Sequence, residues 1–254
     1  MWRKLFTWIP IVALAVLAAL LLLLHLLSPW VNGAPGRTQR LFAEAEFPFL
    51  VWQDSCRGRA LRWISTGNSE SNHLLVFFHG APGSWADFSS YLTDSTLQQY
   101  RLVAMDRPGY GLSEYGRAET SIREQGRLGG CVVEPFRGVD SIWVIGYSYG
   151  GPVAVSFASQ FPDRVQALLL LAPVVHPEKE RIFWFNPVLD WPLSRTLLPD
   201  YVNVATDEKL SHARALAEMK QDWKQLQVPV VQVHCQDDWI APFGPNVHWV
   251  REQL

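Results

Sequence analysis

At 254 residues, 48% of them hydrophobic and 18% charged, the chain is long enough to bury a sizeable core, and its composition excludes wholesale disorder. A formal net charge of −2 gives no basic surface for nucleic acid. Cys56, Cys131 and Cys235 form no Cys-x-x-Cys pair, so neither a zinc site nor a disulfide framework is indicated, although one pair could close in an oxidising compartment.

The first element follows MWRK. From Leu5 to Leu27 the chain carries no formal charge apart from a protonatable His25. A helix of that length spans ~34 Å, enough for the hydrocarbon core of a bilayer. The apolar region of a signal peptide is shorter, ~7–15 residues. A transmembrane anchor is therefore predicted over residues 5–27, with a signal peptide ending near Val31-Asn32-Gly33 as the alternative. Arg3 and Lys4 precede the span, which places the N-terminus in the cytoplasm and the body on the outer, periplasmic or extracellular face, against a small opposing bias from Arg37 and Arg40. Pro10 falls in the first turns, where it disturbs a helix least. Residues 28–46 include Ser, Pro, Asn, Gly and Arg and read as a tether.

Next, FLVWQD and RALRWIST alternate around a CRG turn, the pattern of a hairpin. LLVFFHG (74–80), RLVAMD (101–106) and SIWVIGYS (141–148) are continuous apolar runs, as in strands covered on both faces. A helix is predicted over 85–99 with Ser84 as its cap, and another after Gly150, in PVAVSFASQF. VQALLLLAP (165–173) and VPVVQVHC (228–235) supply two more strands. Strands alternating with helices predict an α/β fold with a mostly parallel sheet. Residues 174–227 form a long excursion with FWFNPVLDWP and a helix around 207–226, and are assigned as a lid.

Gly146-Tyr147-Ser148-Tyr149-Gly150-Gly151 follows one of these strands and opens a helix, the setting that a Gly-x-Ser-x-Gly turn requires. The crowded turn needs glycine on either side, and it projects the Ser148 hydroxyl outward at a helix N-terminus. The amide of Tyr149 can then hold an oxyanion, with the amide of Ala81 in His79-Gly80-Ala81-Pro82-Gly83-Ser84 as the second donor. The bland reading is a glycine-rich turn with an ordinary serine. His79, at the end of a core strand, is read as a structural histidine.

HGAPGS, then DRPGYGLS at 106–113, then GYSYGG resemble the α/β-hydrolase family over residues 47–254. The resemblance implies that fold, with Asp106 and Arg107 buttressing rather than reacting, and a triad whose acid follows the penultimate strand. His234-Cys235-Gln236-Asp237-Asp238-Trp239-Ile240-Ala241-Pro242 resembles the family's acid segment and assigns that role to Asp238, with Asp237 as the neighbouring alternative. A serine nucleophile points away from epoxide hydrolases and haloalkane dehalogenases, which use aspartate, and towards acyl transfer to water. No metal or organic cofactor is implied. The histidine should come after a further helix and strand. His248 is a weak candidate, because it sits in that helix; His176 and His212 belong to the lid, and His234 precedes the acid loop. The expectation is thus a shortened hydrolase lacking its base: a membrane-anchored serine esterase or lipase acting on carboxylic esters, amides or thioesters with an apolar group. The alternative is a non-catalytic binding protein of the same fold.

Overall fold

The computed structural model describes the backbone of residues 2–254 and the side chains of residue 9, residues 11–34 and residues 36–254. The side chains of Arg3, Lys4, Leu5 and Pro10, used above for the anchor and its orientation, lie outside the described residues.

An apolar helix α1 (Trp2–Val31) is followed by α2 (Pro35–Ala45) and a hairpin of β1 (Phe49–Cys56) and β2 (Arg59–Gly67). Then come β3 (His73–Phe78), α3 (Ser89–Leu92), β4 (Arg101–Met105), α4 (Ile122–Val133), β5 (Ser141–Tyr147), α5 (Gly150–Gln160) and β6 (Val165–Leu171). The excursion holds α6 (Asn186–Leu189), α7 (Pro192–Leu197), α8 (Asp200–Glu218) and α9 (Lys220–Lys224), before β7 (Val230–Val233) and α10 (Phe243–Gln253). Seven strands lie in the order β1-β2-β4-β3-β5-β6-β7. The hairpin and the β2–β4 pair are antiparallel, and β4, β3, β5, β6 and β7 run parallel.

Alternation along the central strands feeds two cores. Val76, Phe78 and Val144 face α4, α5 and α9, joined by Phe157, Trp223 and Trp249. Leu75, Phe77 and Ile145 face the other way, against Trp85, Phe88, Leu92 and Phe42 of α2. Continuous apolar runs are what a strand needs when both faces are covered. Cys56 and Cys131 form a disulfide that ties the end of β1 to α4.

Three expectations are corrected. The 28–46 stretch is not a free tether: α1 continues to Val31, and α2 lays Phe42 and Thr38, both almost fully buried, onto the sheet. Four residues apart, they share one helix face, so α2 covers a sheet face that would otherwise be wet. The predicted helix over 85–99 is broken into a 3-10 turn at Trp85–Phe88, the short α3 and a second 3-10 turn at Leu97–Gln99. Asp94 causes the last break by accepting from the amides of Thr96 and Leu97, a local bond that competes with the helix. The lid assignment over 174–227 was too wide, since Ala215, Leu216, Met219 and Trp223 are part of the main core.

Truncating Phe42 would leave a cavity between α2 and the sheet. Phe42→Ala is expected to cost ~3–5 kcal/mol, read as a lower urea midpoint of the detergent-solubilised protein; an unchanged midpoint would remove α2 from the core.

Candidate active site

Strand β5 delivers Ser148 to the carboxyl edge of the sheet, and the chain turns there into α5. Ser148 has φ 50°, the left-handed region, and its amide donates to the Leu171 carbonyl at 2.9 Å. Such a residue persists only where the surroundings over-determine it. Here they do. A Cβ on Gly146 would lie 2.5 Å from the Gly150 carbonyl oxygen, and one on Gly150 would collide with the carbonyl of Phe78. Gly80 runs close beside the turn: a Cβ there would be 3.3 Å from the Ser148 Cβ. The loop carrying Ala81 therefore meets the loop carrying Ser148 and Tyr149.

His79 is fully buried. Its Nε2 accepts from the Arg107 amide at 2.8 Å, so its Nδ1 carries the hydrogen and donates to the Gly80 carbonyl at 2.7 Å. Burial and then the Arg107 charge hold its imidazole well below 6.5, neutral at physiological pH. It shapes the loop and does not titrate in the working range.

Arg107 organises this edge. Its Nε donates to the His79 carbonyl and its Nη2 to the Gly80 carbonyl, each at 2.8 Å, and Nη1 reaches Gln125 Oε1 at 2.8 Å. The charge is met by Glu208 of α8, which also accepts from the Tyr110 hydroxyl at 2.7 Å. Its guanidinium lies 4.5 Å from the Tyr149 ring centroid, and the His212 ring stacks on the same tyrosine at 4.5 Å. His212 Nδ1 is 3.0 Å from Glu180 Oε2, and Lys209 also pairs with Glu180. Sequence reasoning passed over Glu180, Lys209 and Glu208; the i,i+4 spacing of Glu208 and His212 on one helix face was the available signal.

Asp238 lies in the loop after β7. Its Oδ1 accepts from the amides of Ile240 and Ala241 at 2.9 and 2.8 Å, which fixes the carboxylate. Its Oδ2 is 3.8 Å from His234 Nε2, but that nitrogen makes a 2.6 Å bond to the Ala241 carbonyl. Asp237 is exposed on the turn. His248 is exposed on α10, whose Trp249 and Val250 pack on the core, so the helix turns it away from the sheet. His176 caps a short turn by accepting from the Glu178 amide at 3.2 Å. Among the described residues no histidine hydrogen-bonds to Ser148, and no group of three His, Cys, Asp or Glu could hold a metal.

A depression of about 330 Å³ opens beside the turn, lined by Asp87, Tyr91, Tyr147, Leu171, Val233 and His234. A larger hollow of about 420 Å³ at Trp52, Arg101 and Phe136 lies at the amino end of β4. Ligands in such sheets bind at the carboxyl ends of the strands, so the smaller depression is the relevant one.

Two outcomes test this arrangement. Removing Glu208 strands a buried guanidinium, so Glu208→Ala is expected to cost ~3–5 kcal/mol in denaturant unfolding. Burial raises the Glu180 carboxyl, but hydrogen bonds from His212 and Lys209 outweigh it and leave it below the ordinary 4.5. A depressed acid stabilises the fold above its unfolded-state value and loses that contribution as pH falls through the folded one. The difference in Tm between the wild type and Glu180→Gln should therefore stay constant near neutral pH and shrink as pH falls through 4.5 and below.

The family model for the alpha/beta hydrolase fold matches residues 73–206. Epoxide hydrolase B of Mycobacterium tuberculosis (strain ATCC 25618 / H37Rv) is 32% identical over 112 residues, covering 43% of this chain and 32% of the mycobacterial protein, about a third of its length. Lysophosphatidylserine lipase ABHD12 of Danio rerio is 22% identical over 209 residues, 77% of this chain and 51% of that protein. Among solved structures, a lipase-esterase related protein from Clostridium acetobutylicum ATCC 824 superposes with a TM-score of 0.60 at 19% identity, over 76% of this chain and 86% of that one, a likeness of fold alone.

Proposed function

Because the chain belongs to the alpha/beta hydrolase fold family, we propose that it is a serine hydrolase of esterase or lipase type, held to a membrane by α1 with its body on the outer face. The observation that carries this reading is Ser148, held in the left-handed region at the mouth of α5 with the Gly80–Ala81 loop against it. A serine hydroxyl cannot form the carboxylate-ester intermediate of an aspartate nucleophile, so the chemistry follows acyl transfer even though some relatives are named epoxide hydrolases.

Ser148 Oγ would attack the acyl carbon while its proton passes to an imidazole oriented by Asp238. The amides of Ala81 and Tyr149 would hold the oxyanion of the tetrahedral intermediate. Collapse would expel the alcohol, which takes the proton, and water would then release the acid from Ser148 by the same route. The imidazole is not assigned to any described residue. The lipase named among the relatives supports an apolar acyl substrate. The Cys56–Cys131 disulfide supports an oxidising compartment. Helix α1 contains one stretch, Ile11–Val31, long and apolar enough to cross a bilayer; a signal sequence has the same character.

A binding protein of the same fold is the second reading, favoured by the absence of a hydrogen bond from any described histidine to Ser148. Hydrolysis of a short-chain p-nitrophenyl ester separates the two. The enzyme reading expects Ser148→Ala to lower the rate by ~10³-fold or more. Equal rates for the two proteins would leave the binding reading.

A further inference from the structure

We propose that the exposed apolar face of the lid is seated in the bilayer that α1 crosses, so that the lid dips below the headgroups beside the anchor and acyl chains approach Ser148 from within the leaflet. This rests on the reading of α1 as a membrane span.

The anchor is fastened to the body. The carbonyls of Asn32 and Gly33 accept from the buried Arg62 guanidinium at 3.4 and 3.3 Å, and the Gly33 carbonyl also accepts from the Trp85 indole at 3.3 Å. The Asn32 side chain accepts from the Gly111 amide at 3.2 Å. Further along α1 the contact continues: Ser28 Oγ lies 3.2 Å from the Tyr115 hydroxyl, the Tyr201 hydroxyl donates to the Leu24 carbonyl at 3.0 Å, and His25 Nε2 is 3.0 Å from the Leu197 carbonyl. Leu21, Leu24, Ser28 and Val31 are half-buried at helical spacing, whereas residues 11–20 are exposed throughout. One stripe of α1, from Leu21 onward, thus lies against the body.

That sets a length constraint. The apolar helix from Leu5 to Leu20, before the body is met, is ~24 Å long at the α-helical rise, and a hydrocarbon core is ~30 Å thick. The remaining ~6 Å of core must overlap the level at which α1 touches Leu197 and Tyr201, the end of α7 and the start of α8. Amphipathic elements lie at about this depth, ~5–10 Å into the boundary.

The lid's surface suits that place. Ile182, Trp184, Val188, Trp191, Leu193 and Leu197 are all at least 46% exposed, and no formal charge falls between Ile182 and Leu189. The nearby Arg195 is paired with both Asp190 and Asp207, so it presents no free positive charge. Arg37 lies over the exposed Trp30 ring at 4.6 Å, an aromatic and a cation at the end of α1 where headgroups are expected. The patch also reaches the acid loop: Phe183 meets Trp239, next to Asp238, with ring centroids 6.3 Å apart. An exposed apolar patch of this kind on a free surface would invite association; continuity with α1 identifies lipid as its cover.

Full-length protein carrying Cys235→Ser and one added cysteine, labelled with an environment-sensitive nitrobenzoxadiazole and reconstituted in phosphatidylcholine vesicles, tests this. The added cysteines are Val188→Cys and Leu193→Cys in the lid, Leu20→Cys in the anchor and Ser55→Cys on the exposed hairpin. Doxyl-labelled phosphatidylcholine should remove most of the emission at positions 188, 193 and 20 and leave 55 unaffected. Quenching at 20 without quenching at 188 and 193 would overturn the proposal while leaving the anchor intact. Lid labels shielded from aqueous iodide yet untouched by doxyl lipid would mean that a second copy covers the patch, which also overturns it. No quenching at 20 would instead overturn the anchor reading, and the proposal with it.

Discussion

The buried Arg107–Glu208 pair is the constraint on which the rest of the site depends. Burial alone would make the guanidinium harder to keep charged, but Glu208 more than restores it, and its affinity for the proton is raised. One remaining donor meets Gln125, and the other two hold the carbonyls of His79 and Gly80, the two residues before the proposed oxyanion donor Ala81. One side chain therefore fixes the backbone path into the loop carrying Ala81 and binds it to a helix from the excursion, 101 residues away. Oxyanion stabilisation depends on donors already in position before the charge develops. A loosely held loop would have to reorganise with each turnover.

This pair also divides the excursion. Helix α8 is clamped to the sheet edge through Glu208, through the His212 ring on Tyr149 and through the Ala215 and Leu216 side chains in the core. It belongs to the walls of the site. The stretch carrying α6 and α7 differs, with its large side chains facing outward.

The sheet was legible because its central strands are unbroken apolar runs, a pattern forced by burial on both faces, and because the serine turn needs glycines that sequence shows directly. The clamp was not. The i,i+4 spacing of Glu208 and His212 marks one helix face, but no local pattern names Arg107 as the partner, 101 residues away in sequence. Residues 28–46 misled for the opposite reason. Their turn-rich composition is real, but Phe42 and Thr38 at helical spacing outweigh it once a bare sheet face is available to cover. The width of the excursion was misjudged in the same way, although the spacing of Leu216, Met219 and Trp223 was there to be read as a helix face turned to the core. The acid role proposed for Asp238 rests on resemblance alone; the two amides that hold its carboxylate come from a turn whose geometry composition does not specify.

Two adjacent residues, Asp106 and Arg107, connect the end of α1 to the serine turn by facing opposite ways. Asp106 accepts from Arg62 at 2.6 Å and from the amides of Trp85 and Leu112, and Arg62 in turn holds the carbonyls at the end of α1. Arg107 holds the oxyanion loop and α8. The loop that begins with this pair is thus shared by the end of α1, the Ala81 loop and α8, and each is tied to it by buried, charge-assisted hydrogen bonds rather than by a flexible link. A hydrolase on a floppy tether would sample every orientation above a bilayer, and its substrate would have to leave the lipid to reach it. Seating the end of α1 on Arg62 removes that freedom. With α1 in a bilayer, as proposed, the orientation of the serine edge becomes a property of the fold itself, set by the same two residues that hold the site together.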